Sequence, residues 1–506
     1  MKYVIEDIVL ELGQGDNSLR SALAKRLRLP ETTFRYEITG EELLIQNGKR
    51  YISYRVNIDT LEFIRDTSIR FLPDVNRYSV PRNALKDRPV IVGAGLSGLF
   101  CAYTLALAGA KPIILEKGKP LAQRLVDVSS FEKGGAYNKN SNYRYGEGGI
   151  LALSGFRLNR YEDSLSKRWI IDLVEKYCAL SSTHRLGFIS PRKTQILVSS
   201  LLKEIQSRGG EIFYGCEVVG AKTFLGKIKE VKYKTGLIER MVPTNHLILA
   251  CGEDNIPLYN EVANKNEKQT LTTLSFFLEK DLSEFTKTTI GSIRENPRIP
   301  PYFVSSPSKS KTGVETMFSF YYPHARPLFV GSPGAINLSL SMAQEGVNSG
   351  VAVISLRPGK AISPTMAKAI PEVCFKNSLP FQIPGETIKD FLSGKPPLRL
   401  GMTHPSYVPG VYLADYATLL GLPIHQALSE EITRLSREYL TLTDGRALLL
   451  GPSLVYENGR RLLENERGTT CVKGLYLVAP KRSWDYDGVE TAASGVEVGT
   501  SVLEGK

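Results

Sequence analysis

Three glycines and one acidic residue have the spacing of a site that binds phosphate. Gly93, Gly95 and Gly98 form a GxGxxG pattern, and Glu116 follows in the next apolar segment. In such a pattern the first glycine permits a tight turn, the second lets a pyrophosphate approach the backbone, and the third lets a helix pack closely on a strand. An acid about 20 residues further on accepts hydrogen bonds from ribose hydroxyls. The chemistry indicated is the binding of an adenosine pyrophosphate.

The elements that must hold these residues follow from the surrounding pattern. Apolar segments at 89–92 and 112–115 predict two strands, and the small residues of 99–108 predict the helix between them. The N–H groups and the positive dipole end of this helix would face the phosphates. An α/β unit without a ligand is the alternative, but it leaves the coincidence of glycines, helix and terminal acid unexplained.

Features further along the chain favour FAD over NAD as the dinucleotide. The strand predicted at 246–250 runs into Ala250-Cys251-Gly252, which is similar to the Ala-Thr-Gly segment of flavoproteins. A last apolar strand at 474–478 and a helix from Gly488 return to the nucleotide fold at the C-terminus. The N-terminus of that helix could point at a flavin and stabilise negative charge on it.

At this point the chain resembles a known family, the poorly characterised FAD-dependent dehydrogenases of bacteria and plastids. These belong to the wider group of flavoproteins with two dinucleotide-binding domains. The resemblance covers most of residues 85–506. It rests on segments 91–99, 115–118 with Arg124, 145–149, 405–410 with 414–415, 447–452 and 474–476.

The resemblance implies contacts with each part of FAD. The pyrophosphate would meet Gly93, Gly95, Ser97 and Gly98. Glu116 would meet the adenosine ribose, with Lys117 and Arg124 near the same end, and Val218 would contact the adenine through its backbone. The flavin side would be lined by Gly148 and Gly149, and the rest of the expected cofactor-binding site consists of Leu96, Ala250, Cys251, Gly252, Gly488 and Val489.

Two departures from the family pattern concern the flavin side. The acid that usually follows the last strand is missing from Leu477-Val-Ala-Pro480, where Asp485 or Asp487 could substitute. The usual cysteine-containing stretch is replaced by residues 320–325. The residues near that place with side chains suited to acid–base chemistry or substrate binding are Tyr322, His324 and Arg326.

The predicted fold class is α/β. It consists of a Rossmann-like FAD-binding domain assembled from separated segments, an inserted α+β substrate domain and a small N-terminal α+β domain. The expected boundaries are 1–84 for the N-terminal domain, 85–255 and 471–506 for the FAD-binding domain, and 256–470 for the insertion.

Composition narrows the class of protein. The chain has 506 residues, 42% of them hydrophobic, which is ordinary for a globular protein. No signal peptide or membrane span is recognisable, so we expect a cytoplasmic protein. The cysteines and histidines are scattered, which argues against a metal site. The net charge of +12 could attract nucleic acid, but the basic residues are dispersed. We therefore do not favour nucleic acid as a partner, although the charge does not exclude it.

The sequence therefore predicts an FAD-dependent oxidoreductase that transfers hydride between the flavin and an unidentified small substrate. NAD(P)H is a candidate electron donor, although the chain has no second GxGxxG fingerprint. Two alternatives stay open. One is an NAD-only dehydrogenase, and the other is a non-catalytic module that holds FAD or a degenerate site and associates with nucleic acid.

Overall fold

A computed structural model describes residues 1–505 except 12–13, 15, 47–48, 73–77, 83–84, 159–163, 180–186, 282–301, 305–307, 322–323, 333, 343–345, 377–380, 402–403, 439–444, 458 and 480–486. It has the mixed α/β architecture with a parallel sheet that the sequence predicts. Among the described residues, no helix combines the length and the apolar character needed to cross a bilayer.

The N-terminal unit is a four-stranded antiparallel sheet with one helix. Its elements are β1 (Lys2–Glu11), α1 (Asp16–Leu27), β2 (Phe34–Gln46), β3 (Lys49–Thr60) and β4 (Arg70–Leu72). The strand order is β2-β3-β1-β4. Leu19, Leu23 and Leu27 recur every four residues on α1, and all three are buried. The Asn47-Gly48 pair between β2 and β3 predicts a turn from sequence, but both residues lie outside the described part of the chain.

The next part of the chain contains most of the nucleotide fold. Its elements are β5 (Val90–Val92), α2 (Leu96–Leu107), β6 (Ile113–Leu115), α3 (Leu121–Glu132), α4 (Leu151–Ser154), β7 (Phe156–Leu158), α5 (Leu165–Tyr177), β8 (Gly187–Ile189), α6 (Pro191–Ser207), β9 (Glu211–Phe213), β10 (Cys216–Phe224), β11 (Lys227–Thr235), β12 (Ile238–Pro243), β13 (Leu247–Leu249) and α7 (Asn255–Ala263). Strands β10, β11 and β12 form an antiparallel meander.

The inserted part follows, and the chain then returns to the nucleotide fold. The elements are β14 (Leu271–Asp281), β15 (Tyr302–Val304), β16 (Ser308–Lys309), β17 (Glu315–Tyr321), β18 (Arg326–Phe329), β19 (Leu338–Ser341), β20 (Ser349–Leu356), α8 (Pro364–Lys376), β21 (Ile383–Thr387), α9 (Ile388–Ser393), β22 (Val411–Leu413), α10 (Tyr416–Leu420), α11 (Leu422–Glu438), β23 (Leu448–Tyr456), β24 (Leu475–Leu477) and α12 (Gly488–Glu504). Eight of these strands form one sheet along the order β15-β17-β20-β14-β23-β21-β22, with β16 paired to β17, while β18 pairs with β19.

A five-stranded parallel sheet in the order β24-β13-β5-β6-β9 positions the glycine loop. Ile91 lies opposite Ile248 on one side and Ile114 on the other, so β5 occupies the centre. Because parallel strands end at one edge, the segments after β5, β6 and β13 meet there. That edge is where open α/β sheets bind ligands.

Helix α12 fixes the position of α2, which carries the glycine loop at its N-terminus. A Cβ atom added at Gly495 would lie 2.0 Å from the Ser97 carbonyl oxygen, so only glycine allows this approach. Helix α7 also belongs with the parallel sheet, because Tyr259 and Val262 are buried in the same apolar cluster as β5 and β13. Helix α7 thus packs with the nucleotide fold, while the expected boundary at residue 256 stays a prediction.

Glu279 is a buried acid in the centre of the inserted sheet. Its side chain is fully buried, one oxygen accepts the Ser406 N–H at 3.0 Å, and the other has no hydrogen-bond partner among the described residues. Burial raises the pKa of this carboxyl to about 7. In the unfolded chain the carboxyl ionises near its ordinary value of 4.5, so the folded state loses stability as pH rises from 4.5 to about 7.

Replacing Glu279 with glutamine is expected to remove this loss. Since one pKa unit corresponds to about 1.4 kcal/mol, the fall in unfolding free energy between pH 5 and pH 8 should shrink by about 3 kcal/mol. Urea unfolding at the two pH values measures it. The exposed Glu62→Gln is the control and should leave the pH dependence unchanged. An unaltered slope in the Glu279 variant would contradict the argument.

Candidate functional site

The three glycines of the loop between β5 and α2 have different roles in the structure. Gly93 has a φ of +102°, and a Cβ atom there would lie 2.7 Å from the Ala250 carbonyl oxygen. A Cβ atom at Gly98 would lie 2.1 Å from the Gly93 carbonyl oxygen. A Cβ atom at Gly95, in contrast, meets nothing within 4 Å. Gly93 and Gly98 therefore permit close packing, whereas Gly95 leaves its space to the cavity that it lines.

The N-terminus of α2 opens onto the same cavity. Gly95 is the N-cap residue and offers no side chain to the first turn, which also contains no acidic residue. The first N–H groups of a helix have no partner within the helix, so an anion outside can accept their hydrogen bonds. Leu96 and Ser97 both line the cavity beside these groups. This end of α2 is suited to a phosphate.

Glu116 organises the loops around the glycines. Its buried carboxylate accepts N–H bonds from Ala94 at 2.8 Å, from Gly118 at 2.7 Å and from Gly146 at 3.0 Å. It thereby joins the glycine loop, the turn after β6 and the segment that contains Gly146. A carboxylate has about four acceptor positions, so capacity for one more bond is left. The residue also lines the cavity, so this remaining capacity is available to a ligand.

Arg124 lies beneath the cavity instead of at its adenosine end, which corrects the expectation. The side chain is fully buried and does not line the cavity. Its guanidinium donates to the carbonyl oxygens of Asn142 at 2.8 Å, Tyr143 at 2.9 Å and Glu147 at 2.7 Å. Burial lowers its pKa to about 10, so it stays charged at neutral pH. Arg124 therefore holds the segment 142–147 in place through hydrogen bonds to its carbonyl oxygens.

Gly148 and Gly149 line the cavity next to the glycine loop. The Gly148 N–H donates to the Ala94 carbonyl oxygen at 2.8 Å. A Cβ atom at Gly149 would lie only 3.0 Å from the Gly95 Cα atom. Both glycines have positive φ values, 81° and 59°. Their neighbours Ala94 and Gly95 belong to the glycine loop, so Gly148 and Gly149 form the wall opposite Gly95.

The expected adenosine end is built from the residues that follow β6 and begin β10. Lys117 and Val218 line the cavity there, and the Lys117 ammonium pairs with the Glu217 carboxylate at 2.8 Å. Ala250, Cys251 and Gly252 also line the cavity. Burial raises the pKa of the Cys251 thiol, which therefore stays protonated, and the thiol contacts the Asn255 side chain.

The opposite end of the cavity is closed by the inserted part, whose lining residues the sequence did not reveal. Leu454 and Asn337 form a reciprocal pair of hydrogen bonds, at 2.7 and 3.2 Å. The Ser453 hydroxyl donates to the Leu338 carbonyl oxygen at 2.6 Å. Further lining residues of this wall are Val330, Ser339, Val455 and Tyr456. Segment 447–452, on which the family resemblance partly rests, was the only nearby signal in the sequence.

The two catalytic candidates that the structure describes, His324 and Arg326, do not line this cavity. Tyr322 lies outside the described residues. His324 contacts the Val347 carbonyl oxygen through its Nδ1 atom. Arg326 forms an ion pair with Glu132 at 2.6 Å and donates to the Tyr143 hydroxyl at 3.2 Å. Both described side chains therefore have structural partners, and their expected role in the reaction stays a prediction.

The start of α12 also differs from the expectation. Gly488 and Val489 are buried but are not among the lining residues, whereas Thr491, one turn further on, is. A Cβ atom at Gly488 would lie 2.2 Å from the Phe156 ring, so this glycine permits packing. The Asp487 carboxylate caps the helix by accepting the Glu490 N–H at 2.9 Å. Asp487 therefore holds this helix end, while Asp485 lies outside the described residues.

These segments enclose one cavity of about 600 Å³, within the range of roughly 300–1,000 Å³ that is usual for ligand sites. It is continuous from the β6–β10 end, past the glycine loop, to the wall formed by the inserted part. Within the described part of the chain, His, Cys, Asp and Glu side chains form no group of three that could hold a metal ion.

Comparison with known protein families finds a Rossmann-like unit in this chain. Residues 91–139 match the NAD(P)-binding Rossmann-like domain. A protein of Clostridium beijerinckii, described as uncharacterised, is 23% identical over an alignment that covers 100% of this chain and 99% of that protein. The predicted Rossmann-like fold is thus found where the GxGxxG pattern lies.

Several solved enzyme structures are similar to this chain at low identity. A flavin-dependent brominase is 11% identical, covers 83% of this chain and 80% of its own, and gives a TM-score of 0.40. The glycerol-3-phosphate dehydrogenase of Bacillus halodurans, solved with FAD, is 10% identical over 84% of this chain and 66% of its own, with a TM-score of 0.36. The L-proline dehydrogenase of P. horikoshii is 13% identical over 84% and 95%, with a TM-score of 0.34.

Proposed function

We propose that the chain is an FAD-dependent oxidoreductase that transfers hydride between the flavin and a small organic substrate. The observation that carries this proposal is the single cavity that joins the glycine loop to the wall formed by the inserted part. A nucleotide-binding end and a second, differently lined end in one cavity suit a cofactor whose reactive ring lies far from its adenosine.

The residues fit the adenosine pyrophosphate half of FAD. Gly95 leaves open space at the uncapped N-terminus of α2, and Gly149 faces it from the opposite wall. We assign the pyrophosphate to Gly93, Gly95, Leu96 and Ser97, with Gly98 supporting the loop. Glu116 and Val218 would then contact the ribose and the adenine. Lys117 contributes a positive charge at the same end.

The second end of the cavity provides enclosure. Leu338, Leu454 and Val455 are aliphatic lining residues that exclude water from a bound ring system. Asn337 and Ser453 hold these strands together through the hydrogen bonds described above. A bound flavin would supply the hydride chemistry, and the protein would supply orientation and a closed site.

Identification of the bound cofactor tests this proposal directly. Purified protein should be yellow, and heat treatment should release FAD in a ratio of about one per chain, measured by chromatography and mass spectrometry. A colourless protein that binds NADH would support the NAD-only alternative instead. If FAD is present but neither NADH, NADPH nor another donor reduces it at a useful rate, the non-catalytic alternative replaces the enzyme.

A further inference from the structure

A charged cluster crosses the cavity beside the expected phosphate position. Arg144, from the segment held by Arg124, forms ion pairs with Glu253 at 3.3 Å and with Asp254 at 3.0 Å. All three residues line the cavity. Glu253 and Asp254 follow β13, whereas Arg144 precedes the glycines that face Gly95. The two ion pairs therefore connect opposite walls.

The charges in this part of the cavity are unfavourable for a dianionic ligand. Among the described lining residues, Lys117 and Arg144 are the basic ones, and each is already paired with an acid. Both cations also approach the ring of Tyr145, at 4.9 and 5.2 Å from its centroid. The acidic lining residues are Glu116, Glu217, Glu253, Asp254 and Glu261. A pyrophosphate needs a cation released from such a pair.

We propose that Arg144 changes partner when the dinucleotide binds. It then gives up its ion pairs with Glu253 and Asp254 and donates hydrogen bonds to the phosphate oxygens instead. This inference rests on the proposed function. A guanidinium donates two parallel hydrogen bonds to a phosphate as readily as to a carboxylate. The segment that carries Arg144 is joined to the glycine loop through the Gly148 N–H and the Ala94 carbonyl, so the side chain starts close to the phosphate site.

The two acids then act as competitors of the phosphate. Burial raises the pKa of the Glu253 carboxyl, and the positive charge of Arg144 opposes this shift. Removing the acids would leave Arg144 without its partners in the ligand-free protein, and the phosphates would then be the best acceptors available. Arg144 thus makes the site selective for ligands with phosphates and sets the affinity for them.

The test compares ADP with adenosine as calorimetric ligands for the cofactor-stripped full chain. Arg144→Gln should weaken ADP binding about ten- to one-hundred-fold, the range expected for hydrogen bonds to a charged group, and change adenosine binding by less than about twofold. Glu253→Gln combined with Asp254→Asn should tighten ADP binding several-fold. A decrease of ADP affinity in the first variant and an increase in the second would indicate partner exchange.

A merely structural bridge between the walls would give a different pattern. Both variants break the bridge, so ADP and adenosine affinities would move in the same direction in both, and the inference would be overturned. If Arg144→Gln does not fold, the direction in which the double acid variant changes ADP affinity still decides between partner exchange and a structural bridge. If the unaltered chain binds neither FAD nor ADP, the proposed function is wrong as well. If it binds them but both variants change the affinities in the same direction, only the inference about Arg144 is wrong.

Arg461→Gln is the matched control. Arg461 also pairs with two acids, Glu267 at 2.7 Å and Glu457 at 3.0 Å, but it does not line the cavity. Its removal should leave both affinities unchanged. A comparable loss of ADP binding in this control would show that any broken ion pair weakens the site, and would overturn the assignment to Arg144.

Discussion

Replacing Gly95 with valine is expected to yield a folded protein that no longer retains FAD. The Gly95 backbone has φ −68° and ψ 171°, an extended conformation that valine adopts without strain. The added side chain would occupy the space in front of the uncapped N-terminus of α2. If it blocks two charge-assisted hydrogen bonds to phosphate, affinity falls by at least about a hundred-fold. The FAD content of the purified variant measures the effect.

Gly359→Val is the matched control for this variant. Gly359 is an exposed glycine at which a Cβ atom also meets nothing within 4 Å, and it does not line the cavity. This substitution should therefore leave FAD content unchanged. Thermal unfolding of both variants in the absence of cofactor checks that the protein is folded. Stoichiometric FAD in the Gly95 variant would refute the assignment of the pyrophosphate to this loop.

The glycine loop could be predicted because its constraints are local. Gly93 and Gly98 touch each other, and the strand and helix that they join are adjacent in sequence. The apolar segments of β5, β6 and β13 are short and buried on both faces, as parallel strands are. The local sequence pattern and the known role of each glycine were therefore sufficient to predict the glycine loop and the elements on either side of it.

The wall formed by the inserted part could not be predicted in the same way. Its key contact joins Asn337 to Leu454, which are 117 positions apart, and neither lies in a glycine-rich or charged motif. The segment 320–325 was a candidate for the substrate site because it combines aromatic residues with a histidine. In the structure Tyr321 is buried as a strand residue of the inserted sheet, and His324 bonds to backbone. Side-chain type alone does not tell which strand faces the cavity.

Arg124 shows a further limit of sequence reasoning. A basic residue on an amphipathic helix is ordinarily exposed, and the helix pattern of α3 gives no sign of burial for it. Its burial depends on carbonyl oxygens of the segment 142–147, which has no regular secondary structure. The position of that irregular segment follows from tertiary contacts, including those with Glu116.

Replacing Arg124 with methionine is therefore expected to reduce both stability and cofactor retention, although Arg124 lies outside the cavity. Three carbonyl oxygens of the segment 142–147 would lose their donor inside the protein. Leaving such groups unsatisfied costs about 3–5 kcal/mol in total. Because this segment also carries Gly146, whose N–H binds Glu116, its rearrangement disturbs the glycine loop as well. Chemical unfolding and FAD content measure the two effects.

Arg88→Met provides the matched comparison for Arg124. Arg88 also donates to backbone carbonyl oxygens, those of Lys111 at 2.8 Å and Gly209 at 3.5 Å, but at a partly exposed position away from the cavity. Its loss should cost less than about 1 kcal/mol and leave FAD content unchanged. Excess FAD should partly restore the thermal stability of the Arg124 variant, since a ligand that binds only the folded state stabilises it. Normal FAD content in the Arg124 variant without added cofactor would mean that the segment 142–147 keeps its shape by other contacts.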